Sequence, residues 1–216
     1  MKPAPFALGL LLACCAGAAQ PPLPELRTEP TAGGSIFHVR NLATVPLTAF
    51  LIELVDYPGS YYALWQDDIA ATPIPPGGER AIRVANMTVG AVPDYVKLRA
   101  ALFADGSSAG IPEKVAQLVE RRRFTLQTTR ELIHRLESAQ SAGQDKQAVV
   151  ADVRQWADSL DPPRKGSHTS QAAVNQAAAR SLIADTAAQI ESQNVDAAVA
   201  TLRGNERALA ASHPPL

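Results

Sequence analysis

The chain reads as an α+β protein. An N-terminal antiparallel β-sandwich is followed by a C-terminal antiparallel helical region of three to four helices, behind a cleaved signal peptide. Three observations predict this. Nine of the eleven aromatic residues lie before Gly110, and only Phe124 and Trp156 follow it. Alanine shows the opposite bias and crowds into the last third. Aromatic and β-branched sequence suits strands, whereas Ala-rich sequence suits helix. The spacing of apolar residues also changes near Gly110, from every second position to helical spacing.

The first nineteen residues carry the signal. Lys2 supplies a positive charge, Phe6 to Ala13 is apolar, and Cys14-Cys15 leads into the small residues Ala16-Gly17-Ala18-Ala19. This is the layout of a secretory signal peptide, and the run is too short for a membrane span of about 20 residues. Cleavage after Ala18 or Ala19 leaves about 197 residues with no cysteine. In a second route, Leu11-Leu12-Ala13-Cys14 resembles a bacterial lipobox. That resemblance implies cleavage before Cys14 and acylation of its sulfur, and so an anchor in the envelope. Leu12 is bulkier than the lipobox pattern prefers at that position. We read the soluble route first, which places the protein in the periplasm or outside the cell. Cys14 and Cys15 are adjacent, so they cannot staple the fold.

The segments are read as 1–19 signal peptide, 20–30 Pro-rich leader, 31–110 β-sandwich and 111–216 helical region. Pro21-Pro22-Leu23-Pro24 predicts an extended, exposed leader. Ser35–Arg40 follows as a strand, and Leu47–Tyr57 as a longer one with Phe50, Ile52 and Leu54 on one face and Glu53 on the other. Tyr61–Gln66 reads as a short edge strand. Pro75-Pro76-Gly77-Gly78 is a turn, after which Arg80–Ala85 is a strand. Val96–Phe103 alternates, with Val96, Leu98, Ala100 and Leu102 predicted inward and Lys97 and Arg99 outward. Period-two alternation implies one buried and one wet face.

The 41–57 segment, the Pro-Pro-Gly-Gly turn and the 96–103 strand together resemble an immunoglobulin-like or fibronectin-III-like module of exported bacterial proteins, over about residues 28–108. The resemblance is one of fold class. The cysteine pair and core Trp of antibody-type domains are missing, and the strand count is one or two short. The helical region is therefore expected to cover an exposed edge or face of the sheet.

Pro112 and Glu113 suit a helix start, and Gly143 ends the run. Val115, Leu118, Val119, Leu126, Ile133 and Leu136 recur at helical spacing. Asp145 is a good N-cap for a second helix to Leu160, with Val149, Val153, Trp156 and Leu160 as its stripe. A third helix is predicted over 170–193, with mostly Ala on its inner face, and a fourth from Asn194. Small alanine faces bury little area, so the C-terminal part is expected to be the least stable.

Residues 20–110 carry six basic and nine acidic side chains, and 111–216 carry thirteen and twelve. Near-neutral balance argues against a nucleic-acid partner. No P-loop, dinucleotide fingerprint or Gly-x-Ser-x-Gly is present. No cofactor, metal or catalytic residue is assigned. His38, His134, His168 and His213 are scattered. Glu131-x-x-His134 is half of a di-iron motif without its other half. His38, Asp56 and Ser60 share a domain as any sandwich allows by chance. Asp67-Asp68 reads as a charged loop, because adjacent carboxylates on an extended chain point apart. Arg121-Arg122-Arg123 spreads around a helix and reads as a solvated face or a sheet-edge contact. Tyr61, Tyr62 and Trp65 are candidate ligand or partner contacts, with Trp65 alternatively the core aromatic of the sandwich. Asn86-Met87-Thr88 is a glycosylation sequon.

The resulting expectation is a non-catalytic exported interaction or structural protein whose partner is another protein or an envelope component. Self-association through the Val115–Leu136 stripe is a further expectation. The alternative is a carbohydrate-binding accessory using the aromatic segment, or an unrecognised extracytoplasmic hydrolase.

Overall fold

A computed structural model describes residues 20–55, 62–85, 93–160 and 170–216. The signal segment with Cys14, the sequon at Asn86, and Asp56, Ser60, Tyr61 and His168 lie outside the described residues. Among the described residues seven strands come first: β1 (Glu25–Thr31), β2 (Gly34–Arg40), β3 (Leu47–Leu54), β4 (Ala63–Asp67), β5 (Glu79–Ala85), β6 (Val96–Phe103) and β7 (Ser108–Gly110). Four helices follow: α1 (Pro112–Ser141), α2 (Lys146–Ser159), α3 (Gln171–Ser192) and α4 (Val195–Ala210). The protein is thus α+β, with antiparallel sheets preceding the helices. Among the described residues no helix is long and apolar enough to cross a membrane.

The strands form two sheets, in the orders β1-β2-β5 and β4-β3-β6-β7. Every pairing is antiparallel. The sheets share one core, in which Phe37 and Val39 of β2 join Phe50, Ile52, Val96 and Phe103 of the other sheet. Two strands escape the sequence reading. β1 begins inside the stretch read as leader, and β7 is three residues long. They supply the strands that the pattern lacked. Asn41 pins the β2–β3 loop to the Pro-Pro-Gly-Gly turn. Its Nδ2 donates to the carbonyls of Val45 (2.8 Å) and Ile74 (3.0 Å), and its Oδ1 accepts from Ala43 N (2.9 Å).

The expectation of one wet face fails for β3 and β6. All eight residues of β3 are buried. Its second face carries Ala49 and Leu51, which pack with Ala100 and Leu102 of β6 against Val115, Leu118 and Val119 of α1. The helix therefore covers a sheet face, as the short strand count suggested.

The alternation along β6 also breaks. Ile52 pairs with Leu98 and Leu51 with Ala100, so Arg99 is an extra residue, a β-bulge. Val96 and Leu98 face the core between the sheets, whereas Ala100 and Leu102 face α1, and Ala101 and Phe103 return to the core. The predicted single inward face of Val96, Leu98, Ala100 and Leu102 is thus split in two. A second irregularity at Thr48 does the same to β3, between Leu47 and Ala49.

The helices start and stop where local chemistry dictates. The side chains of Asp145, Ser170 and Asn194 accept from the backbone N–H three residues on, at 2.8, 3.3 and 2.8 Å. Gly143, at φ +66°, closes α1 with bonds from Gly143 N to Gln140 O and from Gln144 N to Ala139 O. This is the Schellman arrangement that a left-handed glycine allows. α1 spans 30 residues, about 45 Å. Its first half lies on the sheet. Its second half contributes Leu132, Ile133 and Leu136 to a core with α2, α3 and α4. The apolar stripe expected to drive self-association is therefore filled within the chain: Leu118, Leu126, Ile133 and Leu136 are all buried. The inner face of α3 is also less uniformly alanine than expected, since Ile183 and Ile190 are fully buried beside Ala179 and Ala187.

Candidate functional site

Charged side chains clamp α1 to the sheet at two points. At one end Lys114 Nζ donates to Glu53 Oε1 at 2.6 Å, and Arg99 at the bulge lies 3.6 Å from Oε2. Two turns further along the helix, Arg122 is buried with its whole side chain out of solvent. Its Nε donates to Asp67 Oδ2 (2.8 Å) and its Nη2 to Asp67 Oδ1 (3.0 Å). Nη2 also donates to Thr48 Oγ1 (3.1 Å) and Nη1 to the carbonyl of His213 (3.2 Å). One guanidinium thus joins α1, β3, β4 and the tail after α4. The bulge at Thr48 is what turns this hydroxyl toward the helix, where it also donates to Leu102 O at 3.0 Å.

The three arginines divide between the two expected environments: Arg122 and Arg121 contact the edge strand β4, at Asp67 and Trp65, and Arg123 keeps a solvated face. Arg121 lies 5.5 Å from the Trp65 ring centre, and its Nη1 donates to Val174 O of α3 at 3.5 Å. Burial lowers its pKa, opposed by the charge of Asp67. Only Arg123 is solvated, paired with Glu120 at 3.1 Å. Asp67 and Asp68 point apart as predicted, but neither is a free loop charge. Asp68 is buried with Arg80 and accepts from Gln66 Nε2 at 2.6 Å. The signal missed in the sequence is Thr48, which with Glu53 is one of two polar residues in a buried strand.

The two described aromatics of the 61–65 segment lie on opposite faces of the sheet. Tyr62 joins the core between the sheets and meets Phe37 edge-on, with ring centres 6.3 Å apart. Desolvation raises its pKa to about 12. Trp65 is half-buried against α1 rather than between the sheets.

The remaining sequence candidates are placed individually. His38 bridges β1 and β5, with Nδ1 2.9 Å from Glu79 Oε1 and Nε2 3.0 Å from Glu29 Oε2. Glu131 accepts from Arg135 Nε at 2.8 Å, and His134 is exposed. Among the described residues no three His, Cys, Asp or Glu side chains gather as cation ligands.

The most site-like feature is a cleft of about 680 Å³, within the range of small-molecule sites. α2 packs on α3, while α1 packs on α4 and α3. The cleft lies between the middle of α1 and Trp156 of α2. Phe124 and Trp156 supply apolar surface beside the buried Leu126, and Leu216 lies at one side. Arg123, Gln127 and Arg130 are spaced as one stripe of α1, so they rim the cleft over about 10 Å. Arg135 stacks on Trp156 at 4.4 Å and holds the ring. Sequence reasoning assigned Trp156 to the α2 stripe, which gave no hint of this cleft. The ring is half-buried, with Arg135 over its face. No known protein family, curated protein or solved structure matches the chain.

Proposed function

We propose that the chain is an exported, non-catalytic binding protein, whose contact surface is the α1–α2 cleft and whose partner is another protein or an envelope component. The observation that carries this reading is the cleft itself: an aromatic floor and a rim of paired arginines and carboxylates on a helix that is clamped to a sheet at Glu53 and Asp67. A surface on such an element loses little conformational freedom on binding. Export rests on the composition of residues 1–19. The soluble form is preferred to a Cys14-anchored one, and intact-mass analysis of the mature protein distinguishes them.

For the sheet pair we propose an immunoglobulin-like class of fold. The orders β1-β2-β5 and β4-β3-β6-β7 support it, since a chain that switches sheets after β2, β4 and β5 follows the path of such sandwiches.

The test places a photo-crosslinking residue at Gln127, on the cleft rim, or at Ala81, exposed on β5. Discrete adducts at 127 that are missing at 81, formed in the native envelope, support the reading. The same adducts at both positions, or none at 127, overturn it.

A further inference from the structure

We propose that the open edge of β5 pairs with β5 of a second copy of this chain, antiparallel and centred on Ala81, so that two sandwiches share one continuous sheet.

The four edge strands of the two sheets, β1, β5, β4 and β7, differ in how they are protected. β1 contains Pro30, which removes a donor from its row. β7 is three residues long. β4 has five residues, with Asp67 and Trp65 held by Arg122 and Arg121 of α1. β5 has seven residues and no proline, and it pairs with β2 along its whole length without a bulge. Its inward charge, Arg80, is neutralised by the buried Asp68. Among the described residues none pairs with its outer edge, where every second N–H and C=O points away from the sheet. Ile82 and Val84 turn toward the core at this edge and remain only partly buried. A second strand laid along β5 covers them.

Charge selects the occupant. Glu79, Ala81 and Arg83 lie on the exposed face of β5. Among the described residues Arg83 has neither an ion pair nor a hydrogen bond. Glu79 meets His38 at 2.9 Å and Arg27 at 3.8 Å through Oε1, which leaves Oε2 for a partner. The strand is therefore complementary to itself. In the antiparallel register centred on Ala81, each Glu79 lies opposite Arg83 of the second copy, and two small Ala81 side chains meet on the two-fold axis. Centred on Arg80 instead, two like charges would oppose each other. Centred on Ile82, each Arg83 would face Ala81 and stay uncompensated. On the inner face the favoured register sets the aliphatic stem of Arg80 over Ile82.

Sedimentation of the full mature chain at micromolar concentration should show a dimer. Arg83→Glu and Glu79→Arg, each alone, set like charges opposite one another twice and should weaken dimerisation on the order of tenfold. An equimolar mixture of the two variants regains both pairs and should regain the dimer. Arg207→Glu makes the same charge change at an exposed position of α4 and should leave the dimer intact. Arg83 holds no described partner, so its variant should fold, which circular dichroism checks for each variant. Ala81→Cys introduces the only cysteine in a chain cleaved after Ala19, and a short bis-maleimide should join it to its counterpart. A monomeric parent chain, a dimer unmoved by Arg83→Glu, a mixture of folded variants that stays monomeric, or no joining through Ala81→Cys overturns the proposal. A homodimer joined at position 81 is a different species from a partner adduct at Gln127, so this proposal and the reading of the cleft stand or fall separately.

Discussion

Arg122 and Asp67 meet in a two-pronged ion pair where α1 crosses β4, with Nε–Oδ2 at 2.8 Å and Nη2–Oδ1 at 3.0 Å. The arginine side chain is fully buried and the carboxylate about a quarter exposed. Breaking such a pair from one side leaves an uncompensated charge, which costs about 3–5 kcal/mol. Asp67→Asn should therefore lower stability by about 3 kcal/mol in chemical denaturation. Replacing both partners together, as Arg122→Met with Asp67→Leu, should cost less than Asp67→Asn alone. A double variant that is less stable than the single would contradict this account.

Tyr62 makes alkaline pH destabilising. Its pKa is about 12 in the folded chain, against about 10 when unfolded. Above pH of about 10 the unfolded chain gives up the proton while the folded chain keeps it, so stability falls as pH rises. The contribution is fully present below the unfolded pKa and lost on passing through the folded one. The denaturation midpoint should drop between about pH 10 and about pH 12, and Tyr62→Phe should remove part of that drop. An identical pH profile in the variant would disprove the assignment to Tyr62.

Two glycines separate backbone strain from collision. Gly143 has φ +66°, and a Cβ there would meet nothing within 4 Å. Gly143→Ala should cost about 1 kcal/mol, from strain alone. Gly110 has φ +104°, and a Cβ there would overlap the Arg99 carbonyl oxygen and crowd Ala100 Cα at 2.8 Å. That carbonyl belongs to the bulge and accepts from Ile111 N at 2.9 Å, so it cannot retreat freely. Gly110→Ala should cost at least about 2 kcal/mol more than Gly143→Ala. Similar denaturation midpoints for the two variants would refute the distinction.

Protection from hydrogen exchange should peak in β3, which is covered on both faces. Protection in α3 should rise from its first turns, where Asn175 is the buried side chain, toward Ile183 and Ile190. Exchange at residues 171–176 as slow as at 49–52 would count against this gradient.

Much of the fold was legible because local chemistry settles it. Asp145, Asn194 and Gly143 mark helix ends through bonds that span three to five residues. The alternation in Arg80–Ala85 survives intact, with every second residue exposed, because nothing among the described elements covers that outer face. β7 was invisible because three residues, Ser108 to Gly110, carry no period and exist as a strand only by pairing with β6. β1 was masked by the prolines before it and by Pro30 within it, which is tolerated at the edge of a sheet.

The sequence by itself determined an α+β order, three to four helices with caps at Asp145 and Asn194, and the turn between β strands, since propensity and capping act over a few residues. Only the tertiary structure decided which faces are wet and which charges are buried. The bulges at Thr48 and Arg99 each turn a polar side chain toward α1, and the helix returns Arg122 and Lys114 to meet the sheet. A residue 74 positions from Thr48 thus sets its environment. Periodicity within one strand carries no information about a helix that arrives from so far along the chain.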